Sequence, residues 1–432
     1  MKFFEFYNIL KKIIREKMVY AHGSSDNGAD SVFAITYRKD GELMLYIKNG
    51  RIKTMAGAEY PNGQILIENG KIKAVGENVE KPEGAEEIDA GGHLVTPGMI
   101  DAHCHIGLLG SALRWEGEDA NEEMDPITPH LRGIDSIDPL DECFENARKG
   151  GITAVAAGPG SGNVIGGSFA ALKTYGKRVD DMVMVQPLAM KIAFGENPKS
   201  SYGLKGKSPY SRMAIAALLR EALFKAERYA EALDEYEKSE SSDKKRPPFD
   251  MKMEALLPVI RKQIPLKAHV HRADDICTAI RVAKEFGLKL TIDHCTEGHL
   301  IADVLAEEGF PVLIGPTLGD KTKPEVRNRT FDTVKILSDA GLKVAIITDA
   351  PVIPIERLPL CAGYAIAAGL KEEKAWECIT INPAQIMGVD DRVGSIEPGK
   401  DADIVIHSGN PLTDIASHAL YTIIDGKIVY KA

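Results

Sequence analysis

Two histidines, His103 and His105, lie one residue apart at the end of the run Met99-Ile100-Asp101-Ala102. Further along, Lys191, His269, His294 and Asp349 each close or interrupt a short apolar run. Imidazoles, a carboxylate and a lysine able to carry a carbamate are the donors of a zinc-type hydrolytic centre, provided that they meet at the ends of neighbouring strands. On a strand, side chains two apart share a face, so His103 and His105 form a chelating pair with Cys104 turned away. His269 and His294 are one strand–helix unit apart, which places them on adjacent strands. A buried carboxylate such as Asp349 needs a partner, and a metal or a bound water supplies one. Lys191 sits inside Ala189-Met190-Lys191-Ile192-Ala193, where an ordinary lysine is poorly accommodated. Glu196, five residues on, is the alternative donor to Lys191.

Several other positions border this set. His271 shares a face with His269, and either could be the ligand. His269 is preferred because it comes first after the apolar run. His299, at the start of a helix beyond His294, is a candidate substrate contact. Asn163 and Glu196 are candidates too, Asn163 from the glycine-rich loop 158–167, which lacks the Lys-Ser/Thr ending of a phosphate loop. Lys199, Tyr202 and Arg212 form a polar stretch that could hold a substrate carboxylate, although surface charge explains it as well.

The elements that must position these residues alternate. Seven apolar strand runs (99–103, 152–157, 182–194 in part, 266–269, 290–294, 310–314 and 344–348) are separated by helical periods, among them 140–149, 211–239, 274–286, 299–308, 330–340 and 371–379. Such alternation over some 250 residues or more is the pattern of a (β/α)8 barrel, whose sites form at the C-terminal ends of the strands. An eighth strand is expected between Lys191 and Leu266. Before and after this region the pattern changes to strands and tight turns. Asn49-Gly50, Asn69-Gly70 and Asp425-Gly426 fall between alternating apolar residues, a strong hairpin signal. Residues 44–97 and 392–432 are therefore expected to form one small β-sandwich, with the catalytic barrel over 98–391. Residues 1–43, with an amphipathic helix over 4–20 and a hairpin at Lys39-Asp40-Gly41, read as an N-terminal extension of uncertain order.

The chain has 432 residues with formal net charge -10, from 63 acidic against 53 basic side chains. This balance disfavours a nucleic-acid or anionic membrane surface. No apolar run reaches the ~18 residues of a membrane span. Charged residues interrupt the N-terminal apolar stretch, which argues against a signal peptide. The six cysteines show no Cys-x-x-Cys spacing and suit reduced thiols in a cytoplasmic protein.

The chain resembles the amidohydrolase superfamily, most closely its imidazolonepropionase-like and prolidase-like branch. The resemblance covers residue 45 to the end. It is carried by Val95-Thr96-Pro97-Gly98-Met99-Ile100-Asp101-Ala102-His103-Cys104-His105, by the strand-end His269, His294 and Asp349, and by Asn382-Pro383-Ala384 with Gly394-Ser395-Ile396-Glu397-Pro398-Gly399-Lys400-Asp401-Ala402-Asp403. The Pro159–Asn163 loop and Gly166-Gly167 support the branch. The resemblance implies a metal-dependent hydrolase of a non-aromatic C–N bond, in a cyclic or a peptide-like amide. It implies a divalent metal, zinc by first preference, as one or two ions, with a carboxylated Lys191 as the bridge. Asp349 would take the proton of the attacking water and pass it to the leaving nitrogen, while His294 would bind metal or orient the intermediate. A small-molecule substrate and a homo-oligomer are further implied. A mononuclear deaminase of an amino-substituted ring and a catalytically silent barrel used for assembly are the alternative readings. The sequence leaves the substrate open.

Overall fold

The computed structural model describes residues 44–111, 114–239 and 244–432. The extension 1–43, including the expected helix and hairpin, lies outside the described residues. Five strands come first: β1 (Met44–Lys53), β2 (Glu59–Glu68), β3 (Lys71–Gly76), β4 (Glu86–Asp89) and β5 (Leu94–Pro97). Eight follow in the central region: β6 (Met99–Cys104), β7 (Ile152–Ala157), β8 (Ile165–Lys173), β9 (Val183–Ala193), β10 (Leu266–Val270), β11 (Leu290–His294), β12 (Val312–Ile314) and β13 (Val344–Ile346). The last three are β14 (Ile404–His407), β15 (Ala419–Ile424) and β16 (Lys427–Lys431).

The two ends of the chain share a sheet of order β16-β15-β14-β5-β1-β2-β3, with β4 also paired to β1. Its centre is the antiparallel β5–β14 pair, in which Thr96 opposes Val405 and Pro97 opposes Ile404. Asn49 and Asn69 adopt positive φ at their turns, a conformation asparagine tolerates better than most residues. One face of this sheet buries Ile47, Ile65, Ile67, Val95, Ile404 and Ile423.

The second sheet runs β13-β12-β11-β10-β9-β8-β7-β6 and nearly closes into a barrel. Its seam, β6 against β13, is bridged by Asp101. The Asp101 carboxylate accepts from the Thr348 backbone N–H at 3.0 Å and from the Thr348 hydroxyl at 2.5 Å. The missing strand is β8, and it does not lie between Lys191 and Leu266. It precedes Lys191, begins in the glycine-rich segment, and runs antiparallel to both neighbours. The stretch between Lys191 and Leu266 instead forms three helices, Glu196–Gly203, Arg212–Glu237 and Met251–Ile260. Small side chains (Ala102, Ala154, Ala156, Ala171, Ala189, Ala345) fill the barrel interior around Phe169. Outward-facing apolar residues of the strands pack on the helices, as the barrel architecture requires.

A buried cluster of charges ties barrel to sheet. Lys173 Nζ, at the end of β8, lies 2.7 Å from Asp403, 3.1 Å from Asp401 and 3.3 Å from Asp425. Arg392 and Lys71 also reach Asp401. No helix among the described residues is long and apolar enough to cross a membrane.

Candidate metal centre

The C-terminal ends of the barrel strands gather the polar residues into two groups. Donor atoms of His103, His105 and Asp349 lie within 4.8 Å of one another, and so do those of His269, His271 and His294. His103 and His105 leave β6, which is bulged between Asp101 and Cys104. Such a bulge re-aims a strand end. Cys104 Sγ contacts the Ala156 carbonyl and belongs to the outer core. His294 and Asp349 both adopt positive φ, at 68° and 55°. Non-glycine residues there carry strain and cluster at functional sites. The turn at His294 breaks strand alternation, so Asp293 faces the interior beneath the site while His294 still reaches the mouth.

Each ring but one has a partner on Nδ1 that turns its Nε2 toward the centre. His103 Nδ1 lies 2.7 Å from Asp293 Oδ2. His105 Nδ1 donates to the Gly158 carbonyl and His294 Nδ1 to the Gly315 carbonyl, each at 2.7 Å. His271 Nδ1 pairs with the Thr296 hydroxyl at 2.8 Å. Outer partners of this kind fix which ring nitrogen is available to a metal. The exception is His269, whose Nε2 lies 3.4 Å from the Asn197 amide nitrogen.

Lys191 sits between the groups. It is fully buried, and its Nζ lies 3.1 Å from His103 Nε2. No carboxylate forms an ion pair with it among the described residues, and burial lowers its pKa to about 8. Lys267 is the second buried lysine of the interior. It is paired, donating to the Ala102 carbonyl at 2.9 Å and contacting Asp293 Oδ2 at 3.1 Å. Both ammonium groups lie over the Phe169 ring.

Burial keeps four of the rings neutral. His103, His269 and His271 are pushed well below the ordinary histidine range, first by desolvation and then by nearby cations. His294 is lowered to about 4, also chiefly by burial. Burial pushes Asp349 upward, but His294, His105 and Lys191 outweigh it and leave its carboxyl below the usual range. Asp101 is raised by burial to about 6 despite its bonds to Thr348.

These residues fit a metal. Neutral imidazoles and an ionised carboxylate are its ligand forms. His294 Nε2 and Asp349 Oδ1 are buried without a hydrogen-bond partner, an arrangement that costs free energy unless something else binds them. Asp349 Oδ1 does lie 3.2 Å from His105 Nε2 and 3.4 Å from His103 Nε2, but without hydrogen-bond alignment.

Not every candidate joins the site. Glu196 falls in neither group; it opens the helix after β9, and its backbone N–H donates to Glu325. Asn163 is committed elsewhere, its amide nitrogen donating to the Glu122 and Asp125 carbonyls and to Thr128. His299 pairs with Thr333 on the helix Asp332–Asp339. Arg212 is held by Asp275 and Glu325, and the Tyr202 hydroxyl by the Glu122 and Asp125 carbonyls. Asp101, Asp293, Lys267, Asn197 and Lys323 are the participants that spacing did not reveal. For Lys267 and Asp293 the signal was a charge within an apolar strand run. A cavity of about 600 Å³ opens at the opposite end of the barrel and is lined by none of the site histidines or Asp349.

Known proteins resemble this chain over most of its described length. An amidohydrolase from Thermotoga maritima has a crystal structure that superposes with a TM-score of 0.86 at 40% identity, covering 90% of this chain and all of that one. The amidohydrolase tasK of Hapsidospora irregularis is 30% identical over 373 residues, 81% of this chain, and the chain spans only 38% of that relative's length. An imidazolonepropionase of Porphyromonas gingivalis is 25% identical over 437 residues, covering 90% of this chain and 98% of its own. A Xaa-Pro dipeptidase shares the fold, with a TM-score of 0.54 at 20% identity. The amidohydrolase family model matches residues 94–429, and with this extent of agreement the chain belongs to the amidohydrolase family.

Proposed function

We propose that the chain is a metal-dependent hydrolase of a non-aromatic C–N bond, in a cyclic amide or a peptide-like amide. The observation that supports this most directly is the pair of donor groups with the Lys191 amine between them. His103, His105 and Asp349 would hold one ion, and His269 with His294 the other. His271, which carries a Thr296 partner, is the further donor or substrate contact on that side. A divalent ion, zinc by first preference, supplies a lowered pKa for a bound water, toward about 7, and polarisation of the carbonyl.

The side chains do the rest. Asp349, kept ionised at the mouth, accepts the proton of the attacking water and returns it to the leaving nitrogen. Lys191, whose amine is partly neutral near physiological pH, can add carbon dioxide. Its nitrogen lone pair would attack the carbon and a proton would leave, giving a carbamate whose two oxygens are donors of the kind a bridge between two ions needs. A deaminase reading asks for one ion and no bridge, and the two donor groups favour the hydrolase.

The test is elemental analysis of protein purified without chelator, together with a panel of acyl amides and ring amides. Two equivalents of metal per chain, falling to one in Lys191→Ala, and hydrolysis of at least one amide are expected. Metal-free protein that gains neither ion nor activity on adding zinc and bicarbonate overturns the reading.

A further inference from the structure

The loop between β12 and the helix Asp332–Asp339 leans over the barrel mouth and is pinned by a buried carboxylate. Glu325 Oε1 accepts from the Glu196 backbone N–H at 2.6 Å and from Arg212 Nη2 at 2.8 Å. Arg212 is itself held by Asp275 at 2.9 Å. Gly195, at φ 83°, makes room for this anchor, since a Cβ there would lie 2.3 Å from Glu325 Oε1. Two residues before the anchor stands Lys323. Its Nζ donates to Asn197 Oδ1 at 3.0 Å, and the Asn197 amide nitrogen meets Ser161 Oγ at 2.6 Å and His269 Nε2 at 3.4 Å.

Lys323 differs from the other partly or fully buried lysines that carry a charge partner. Lys173 has three aspartates and Lys267 has Asp293, but Lys323 forms no ion pair among the described residues. A half-buried ammonium with one neutral acceptor has lost hydration without full replacement. It stands on the His269 and His271 side, where it is among the cations that depress both rings. Glu325, Glu196 and Asp349 act on it from a longer range, so the surroundings favour a monoanion over a dianion.

We infer that Lys323, placed by Asn197 and by the Glu325 anchor, recognises a carboxylate of the substrate, so that the amide cleaved belongs to an acidic molecule such as an N-acyl amino acid or a carboxylate-bearing ring amide. This rests on the hydrolase reading for what is cleaved, but the anion site can be measured without turnover. Arg212, the sequence-level candidate for this task, is occupied by Asp275 and Glu325.

The experiment uses the full chain loaded with zinc and a panel of N-acetyl amino acids, each beside its neutral carboxamide and its phosphonate analogue. Turnover and calorimetric binding are both read for the wild type, Lys323→Met and Lys323→Arg, with melting curves to establish folding. The wild type should prefer carboxylates, and Lys323→Met should lose roughly 30-fold or more on them through KM, with a much smaller change on the carboxamides, so that the preference collapses. Lys323→Arg should recover part of the loss. Equal handling of carboxylate and carboxamide by the wild type, a preference that survives in Lys323→Met, or tighter binding of the phosphonate overturns the inference, as does the absence of any carboxylate binding. Lysine-dependent binding of carboxylates without cleavage of any amide keeps the inference and sinks the hydrolase reading.

Discussion

Asp293 Oδ2 lies 2.7 Å from His103 Nδ1, and both side chains are sealed from solvent. The same oxygen meets Lys267 Nζ at 3.1 Å, so one carboxylate balances a buried lysine and orients a ring of the first donor group. Replacing it with an amide keeps the shape and removes the charge. Asp293→Asn should weaken metal affinity roughly 10- to 100-fold, the usual cost of losing such an outer partner. Titration with a chromogenic chelator checks this, and unchanged affinity would show that the ring is held by packing alone.

Asp349 offers a cleaner separation of chemistry from folding. Asp349→Asn should lower kcat by about 10²- to 10⁴-fold, the range for a lost proton carrier. The melting temperature of the metal-free variant should fall only modestly, because the attraction of His294, His105 and Lys191 for the charge is lost while the buried Oδ1 has no hydrogen bond to lose. Steady-state kinetics and calorimetry on the same preparation read both. A variant that keeps metal and full activity would remove Asp349 from the chemistry.

His407 supplies a pH signature outside both donor groups. Its Nε2 meets the Thr96 hydroxyl at 2.9 Å, and burial lowers its pKa to about 3 from 6.5. Between those values the unfolded chain binds a proton that the folded chain refuses, so stability falls as pH drops below 6.5 and is complete above it. The slope per such group is about 1.4 kcal/mol per pH unit. His407→Gln should therefore show a shallower loss of stability from pH 6.5 to 4 than the wild type. Denaturant midpoints across that window measure the difference, and parallel slopes would refute the assignment.

Lys173 tests the join between barrel and sheet. Lys173→Met leaves Asp403 and Asp401 facing each other without their shared cation. A loss of about 3–5 kcal/mol is expected for an uncompensated buried charge. Equilibrium unfolding reads it, and the double variant Lys173→Met with Asp403→Asn should recover part of the loss.

Much of the barrel was legible because parallel strands buried on both faces read as continuous apolar runs, each ending in the polar residue that reaches the mouth. His103, His105, His269, His294 and Asp349 stood out for that reason. The strand β8 did not, because its opening Ile165-Gly166-Gly167-Ser168 reads as a loop and its antiparallel course breaks the strand–helix rhythm. Asp293 was hidden by the rule of alternation, which the positive φ of His294 suspends. Lys323, on a loop, and Asn197, in the helix Glu196–Gly203, meet although they are 126 residues apart, and no local pattern encodes such a meeting.

The β5–β14 pairing has a consequence for how the chain is made. Thr96 and His407, in contact at the heart of that sheet, are 311 residues apart. During synthesis β5 therefore waits with one edge unpaired until the whole barrel has been made, and long-range pairing of this kind is slow. An exposed strand edge invites the wrong partner, another nascent chain included. Ribosome-bound chains halted between the barrel and β14 should be the species that chaperones retain.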